Sequence, residues 1–554
     1  MNPSFGDGDA LGDGFVADIH HVRLTTAVEV REGGGIFFGH EVRRVDDNNR
    51  YDSNMPNQSH PLFSTLYRKP LALILAVALA GAPVNSQSQF IHQLPNLGDA
   101  SSETFSPQME RKIGDGIIRE LRRAHEIIDD AELSQYLNRL GNALVAQAPR
   151  AESDFYFFAV KDSTLNAFAL PGGNIGVHTG LLLASHSESE LAAVLSHEIG
   201  HVVQRHIARM LAKQGQDSLV TVAALIFALL AARSNPNAAQ GIAMAGAGYS
   251  IQNQLSFSRD AEREADRVGL QILQGAGFNT HDMVTFFGRL QQAGRLYENN
   301  APAYMQTHPL STERMADIQG RVRDARVRLR ADSLDFLLLR AKLSASKDES
   351  VNGLRETQKL IELQLQQHTT PNEGASWFAL ATTRMLRRDW FGAATALQQA
   401  RYKLAVAHPY LDRLEIELKL ANGQNEAALA TAQVAWKRFP QARALAHVYA
   451  QCLQANGQHA QAIAFLREQV EFYRQELELY PLLAKSYEAT GQRAQEHWAT
   501  AEYLMRMGAY PAALVQLQQA RSAGDTDFYQ LSVIDARTHE VQRLVAEEAK
   551  ERVK

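Results

Sequence analysis

The chain has 554 residues, 45% apolar and 21% charged, and 56 Lys+Arg against 61 Asp+Glu leave a net charge of −5. Those figures fit a globular protein of three or four domain-sized units and exclude a largely disordered chain, a collagen-like chain or a multi-span membrane protein. There is no cationic excess of the kind that marks a nucleic-acid-binding surface, and the one cysteine excludes both an intramolecular disulfide and a thiolate zinc cluster. That residue, Cys452, lies in an alanine-rich helical stretch and is expected to be a buried structural thiol.

Residues 1–54 are rich in Gly, Asp and Asn and carry no sustained helical or strand period. From Met55 the character changes. Arg68 and Lys69 precede the 12-residue apolar run Leu71–Ala82, and small residues follow at Val84-Asn85-Ser86. This is the pattern of a secretory signal peptide. The apolar run falls short of the roughly 20 residues that span a bilayer. The expectation is therefore that Met55 is the start, that 1–54 is a spurious or disordered extension, that 55–86 is removed after Ser86, and that the mature chain is exported.

Residues 105–210 mix helix and strand. Ile113, Ile117, Ile118 and Leu121 have helical spacing, and DFYFFAVKD at 154–162 reads as a strand. Residues 167–170 and 174–177 read as two more strands joined at Pro171-Gly172-Gly173. One helix is predicted from about Ser187 through Gln214.

That helix contains His197-Glu198-Ile199-Gly200-His201. Histidines at i and i+4 project from one face, so both imidazoles can reach a single Zn²⁺. Glu198, beside the first of them, can take a proton from the attacking water and hand it to the leaving amine. His206 is one residue short of the HExxHxxGxxH spacing, and no Gly stands where that motif needs one. The third ligand is therefore expected to be an acid on another element. Glu262, Glu264 and Asp266 are available on a second helical segment, 257–273. Glu262 and Asp266 share a face, so that one can bind metal while the other orients a ligand histidine. Glu264 points elsewhere and is expected to be a solvated charge.

HEIGHVVQRH followed by SRDAEREADRVG resembles the zinc metallopeptidases related to the CAAX prenyl proteases and the heat-shock membrane protease. The resemblance implies that Glu262 is the third zinc ligand and that Asp266 supports the ligands from behind. It also implies that Asn166, Ala167, Phe168, Ala169 and Leu170 form a strand at the cleft edge, to which substrate can add through main-chain hydrogen bonds. Thr307-His308-Pro309, with Arg314 following, resembles an element of the exported branch in which a loop histidine takes the open zinc position. His308 is then a displaceable fourth ligand; the alternative is a surface histidine ahead of a helix capped at Ser311 or Thr312. Two roles stay open for Arg314, pairing with a carboxylate or contacting substrate.

Between the two metal-bearing segments, Leu219–Ala232 is a 14-residue apolar run, too short to span a bilayer alone. It reads as a buried helix or as a helix pair resting on a membrane surface or partner.

From about residue 335 the chain reads as almost all helix. Asp389, Gly423, Gly457 and Gly491 recur every 34 residues, and Ala394, Ala428, Ala462 and Glu496 lie five further on. That period is the tetratricopeptide signature. Such units stack into a superhelix whose concave face usually binds polypeptide.

The fold class expected is α+β, mostly α: a zincin-like (gluzincin) metallopeptidase domain over 87–330, a helical linker over 331–372, an α-solenoid of tetratricopeptide repeats over 373–525 and a tail over 526–554. This combination resembles the β-barrel assembly-enhancing proteases of the Gram-negative periplasm. The resemblance implies a zinc endopeptidase with one Zn²⁺ per chain that degrades misassembled outer-membrane β-barrel proteins and assists their assembly. Its repeats would engage the barrel assembly machinery, and 219–232 would offer peripheral membrane contact. The rival reading is a scaffold or chaperone whose zinc site is largely latent; a peptidase for small peptides or prenylated tails is a third.

Overall fold

A computed structural model describes residues 106–149, 154–214, 258–296 and 303–553. The signal-like segment 55–86 and the apolar run 219–232 lie outside the described residues. Among the described residues, no helix is long and apolar enough to cross a membrane.

Two helices open the described residues, α1 (Pro107–Arg123) and α2 (Ala131–Val145), started by Ser106 and Asp130, whose side chains accept from the Met109 and Leu133 backbone N–H groups. Three strands follow: β1 (Tyr156–Val160), β2 (Ala167–Leu170) and β3 (Asn174–His178). The spatial order is β1-β3-β2, with β1 parallel and β2 antiparallel to β3. A 3₁₀ turn at Pro171–Gly173 joins β2 to β3, where Gly172 and Gly173 both take positive φ. Among the described residues β2 is thus an edge strand of this sheet.

The helix predicted from Ser187 to Gln214 is two helices. After α3 (Thr179–Ala184), α4 spans Glu188–Val203 and α5 spans His206–Gln214. Arg205 stands between them at φ 52, in the left-handed region. Side chains with a Cβ seldom adopt that conformation, so no residue type announces the break. The segment expected to supply the third ligand is α6 (Arg259–Gly275), capped by Ser258. Then come α7 (His281–Leu296), the short α8 (Ala303–Thr307) and α9 (Thr312–Val322), capped by Ser311.

α4 is buried along nearly its whole length and packs closely on α6. A glycine from each helix permits the approach. A Cβ on Gly200 would stand 2.9 Å from the Ala265 carbonyl oxygen, and one on Gly269 would stand 3.0 Å from the His197 Cα. Both obstacles are backbone, which cannot rotate away.

The hydrophobic core of the first domain continues past residue 330. Segment 331–372, read from the sequence as a linker, holds α10 (Leu334–Ala345) and α11 (Val351–Gln366), and Phe336, Leu338 and Leu339 are buried in one continuous core with Leu137, Leu195 and Phe287. Five helix pairs follow: α12 (Glu373–Leu386) with α13 (Trp390–Leu404), α14 (Pro409–Ala421) with α15 (Asn425–Arg438), α16 (Arg443–Ala455) with α17 (His459–Phe472), α18 (Leu479–Ala489) with α19 (Arg493–Arg506), and α20 (Tyr510–Arg521) with α21 (Phe528–Val553). The expected tail after 525 is therefore mostly the helix α21.

The repeat register needs one correction. Gly423, Gly457 and Gly491 hold positive φ at the inter-helix turns, but in the first unit that conformation falls on Arg388, with Asp389 serving as the next helix's cap. The packed alanine there is Ala393, while Ala394 is exposed. Cys452 is fully buried, and burial pushes its thiol up to about 12, which suits an inert core residue.

The array folds back along α1 and α2. Glu132, itself buried, accepts from Arg413 (2.6 Å) and Lys342 (2.7 Å). Arg443 N donates to Gln135 on α2 (3.2 Å), and Arg123 on α1 meets Glu548 (2.8 Å) on α21.

Gly200→Ala and Gly269→Ala test the helix crossing. Alanine ordinarily stabilises a helix interior relative to glycine by about 1 kcal/mol; here overpacking of about 1–3 kcal/mol should win. Calorimetry should show unfolding beginning at lower temperature in both variants, whereas an unchanged or raised onset would mean the helices can part without cost.

Candidate metal centre

α4 and α6 aim four side chains at each other across the glycine contact: His197 and His201 from α4, Glu262 and Asp266 from α6. The loop after α8 inserts His308 between them. Ligand atoms of His197, His201, Glu262 and His308 all lie within 4.8 Å of one another, and all four residues are buried. The His201 and His197 Nε2 atoms are 3.0 Å apart. Glu262 Oε1 stands 3.4 Å from His201 Nε2 and 2.9 Å from His308 Nδ1, and Glu262 Oε2 is 3.5 Å from His197 Nε2. The structure thus gathers the three residues predicted as ligands and the predicted displaceable fourth.

Asp266 sits behind His197, with Oδ1 at 2.9 Å from Nδ1. Arg314, left with two roles by the sequence, pairs with both carboxylates: it forks onto Asp266 at 2.7 Å for each bond and reaches Glu262 Oε2 at 2.5 Å. Its Nη1 also donates to the Pro309 carbonyl (2.8 Å), tying down the chain just after His308. Glu262 therefore turns one oxygen towards the imidazole cluster and the other towards a guanidinium.

Burial dominates the electrostatics, and partners then decide its sign. Burial lifts the Glu198 carboxyl, with only part of that shift offset by His308 and His197. Burial would lift Glu262 as well, but His308 and the hydrogen bonds from His197 and His201 hold it well below the usual carboxylate range. Burial would depress His197, but Asp266 and Glu262 carry it up to about 9. His201 is held well below its ordinary value by burial, which Glu262 only partly counters.

Glu198 lies beside this cluster with neither carboxylate oxygen in a hydrogen bond among the described residues; His308 Nε2 stands 3.6 Å away. The Ala169 backbone N–H on β2 also faces Glu198 and favours its charged form. Of the remaining edge residues, Asn166 gives its carbonyl to His178 N (3.0 Å), so the Leu165 carbonyl points the opposite way, to the edge of β2 that pairs with no strand among the described residues. There it accepts from Tyr304 N (3.2 Å).

Two residues escaped the sequence reading. Tyr304 is fully buried, stacks on His308 (4.6 Å between centroids, 22° between planes), and its hydroxyl has no hydrogen-bond partner among the described residues. Its place one helical turn before His308 was the available signal. His206, set aside for its spacing, packs against His201, and Glu264 is not a free solvated charge: it meets His206 (3.2 Å) and Arg209 (3.1 Å).

The donors fit zinc. Two imidazoles and a carboxylate make the three-ligand set of catalytic zinc sites, a third imidazole stands at the fourth position, and the set suits a borderline cation better than a hard one.

The family model of peptidase family M48 matches residues 131–322, and that of the tetratricopeptide repeat matches 419–486. The chain is 30% identical to the β-barrel assembly-enhancing protease of Escherichia coli K12, an alignment covering 87% of this chain and 98% of that one. It is 31% identical to the Yersinia pestis protein of the same name, over 81% and 92% of the two chains. A mitochondrial metalloendopeptidase of Schizosaccharomyces pombe is 32% identical over 35% of this chain and 54% of its own.

Asp266→Asn preserves shape and removes the charge that holds both His197 and Arg314. Zinc affinity, read by chelator competition, should fall about 10–100-fold; parent-like affinity would show that Asp266 does not support the site.

Proposed function

Given that this chain belongs to the β-barrel assembly-enhancing proteases of peptidase family M48, and so is a zinc-dependent metalloendopeptidase, we propose that it is exported to the periplasm, where it degrades misassembled outer-membrane β-barrel proteins and assists their assembly. His197, His201 and Glu262 hold one Zn²⁺ per chain, with His308 as a displaceable fourth ligand and Asp266 fixing His197. The observation that carries this is Glu198: a buried carboxylate beside the imidazole cluster, faced by the Ala169 backbone N–H of the edge strand and, among the described residues, hydrogen-bonded to no side chain.

Substrate adds to the free edge of β2 as an extra strand, held by main-chain hydrogen bonds along 166–170. Zinc, when bound, supplies Lewis acidity towards the scissile carbonyl and a water. Glu198 takes the proton from that water and delivers it to the leaving nitrogen; burial lifts its pKa towards the range where it can do both. Recognition through backbone gives weak side-chain specificity, which suits a protease that must act on many unfolded barrels. The repeat array, which α2 and α1 bind at several points, presents the surface for polypeptide clients and the assembly machinery.

The second reading, a scaffold or chaperone with a largely latent site, draws support from His308. Its ring lies among the ligands, and its segment occupies the Leu165 carbonyl that an incoming strand would use. Latency in that arrangement is reversible, because the loop must lift for a strand to enter.

Casein cleavage by the zinc-loaded chain separates the readings. Glu198→Gln should lower turnover by about 10²–10⁴-fold with zinc content kept, and His308→Ala should raise it several-fold. Zinc-loaded parent and His308→Ala proteins that both fail to cleave would move the function to the scaffold.

A further inference from the structure

We propose that His206 is a positioning residue for the metal centre: it fixes the tautomer and orientation of His201 and links that ligand, through a neutral imidazole, to the carboxylate of Glu264. The inference rests on the zinc reading above and concerns a residue outside the ligand cluster.

The geometry starts at His201. Its Nε2 faces the other ligands, and its Nδ1 faces the opposite way, 3.0 Å from Nδ1 of His206. Two ring nitrogens at that distance share one proton. With His201 Nε2 turned to the metal, its Nδ1 carries the proton and donates, so His206 Nδ1 accepts. His206 then carries its own proton on Nε2, which points at Glu264 Oε2 at 3.2 Å. Arg209 Nη1 donates to that same oxygen at 3.1 Å. The chain of bonds is complete: guanidinium, carboxylate, imidazole, ligand imidazole.

The other ligand histidine is held by a shorter version of the same device. His197 Nδ1 meets Asp266 directly at 2.9 Å, and Arg314 forks onto that carboxylate. Each ligand histidine thus has a carboxylate and an arginine behind it, and His206 fills the longer gap on the His201 side. A carboxylate placed directly against His201 would add charge to a pocket where Glu198 and Glu262 are already buried; a neutral imidazole spans the gap without that cost.

The backbone supplies an independent observation. In an unbroken helix, residues five apart lie about 140° from one another around the axis, so His206 would face away from His201. Arg205, at φ 52, breaks the helix between α4 and α5 and brings His206 back. A left-handed non-glycine residue is strained and persists only where its surroundings hold it. Arg205 is held there by an ion pair with Glu110 on α1 (2.5 Å). His206 itself is almost wholly buried, with its side chain 1% exposed, so its ring nitrogens must find their partners within the protein.

Zinc affinity, by chelator competition on the full chain, tests this in His206→Leu, His206→Asn and Glu264→Leu, alongside thermal unfolding of each metal-free protein. Leucine fills the space without an acceptor; asparagine can place its amide oxygen where Nδ1 stands. His206→Leu should bind zinc about 10–100-fold more weakly than the parent, with metal-free unfolding unchanged, while His206→Asn stays near the parent. The Co²⁺-loaded leucine variant should show a shifted d–d absorption band. Parent-like affinity in His206→Leu overturns the proposal, and so does an asparagine variant as weak as the leucine one. Should His206→Leu fail to fold, Glu264→Leu at the half-exposed end decides: weaker zinc binding supports the proposal and parent-like binding overturns it. A parent chain that binds no zinc overturns the metalloprotease reading, and this one with it.

Discussion

The distance between α4 and α6 governs the rest of the molecule. Gly200 lies between Glu198 and His201, and Gly269 lies three residues after Asp266, so each glycine stands within one helical turn of a residue it serves. With a Cβ on either, the helices would stand further apart, and the Glu262 carboxylate would no longer fall within 3.5 Å of both histidines. The packing of two helices and the geometry of the centre are therefore one constraint. Around it, charges are compensated in pairs, Asp266 with Arg314 and Glu264 with Arg209, so that burying the carboxylates leaves few of them uncompensated.

The same centre is joined to its surroundings on two sides. α8, α9 and the loop between them carry Tyr304, His308 and Arg314, which touch the segment leading into the edge strand, the ligand cluster and both α6 carboxylates in turn. Anything that lifts His308 acts on a segment anchored at both ends. On the far side, α2 is gripped by Lys342 and Arg413 through Glu132, and α1 by the last helices of the array. The core running unbroken from Leu133 to Leu418 makes the first repeat units part of the metallopeptidase body rather than an appendage.

Much of this was legible in the residues because it is local. The i, i+4 spacing of His197 with His201 and of Glu262 with Asp266 makes each pair share a face. The Pro171-Gly172-Gly173 turn separates β2 from β3 in the sequence as in space. What escaped is either long-range or carried by atypical residues. Arg205 and Arg388 adopt left-handed conformations without being glycine, so the break before His206 and the one-residue slip that buries Ala393 in place of Ala394 had no compositional signal. The partners of Arg314 and Glu264 depend on helix placement across about fifty residues for one and on that hidden break for the other. The docking of the array on α1 and α2 is set by single polar and charged residues hundreds of positions apart.

The central claim is a zinc centre built by α4, α6 and the loop after α8. X-ray absorption at the zinc edge on the loaded full chain tests it most directly. The account predicts four nitrogen or oxygen scatterers at about 2.0–2.1 Å, with the outer-ring signal of three imidazoles, falling to two in His308→Ala. A six-coordinate oxygen shell, or three imidazoles that persist when His308 is removed, would contradict it.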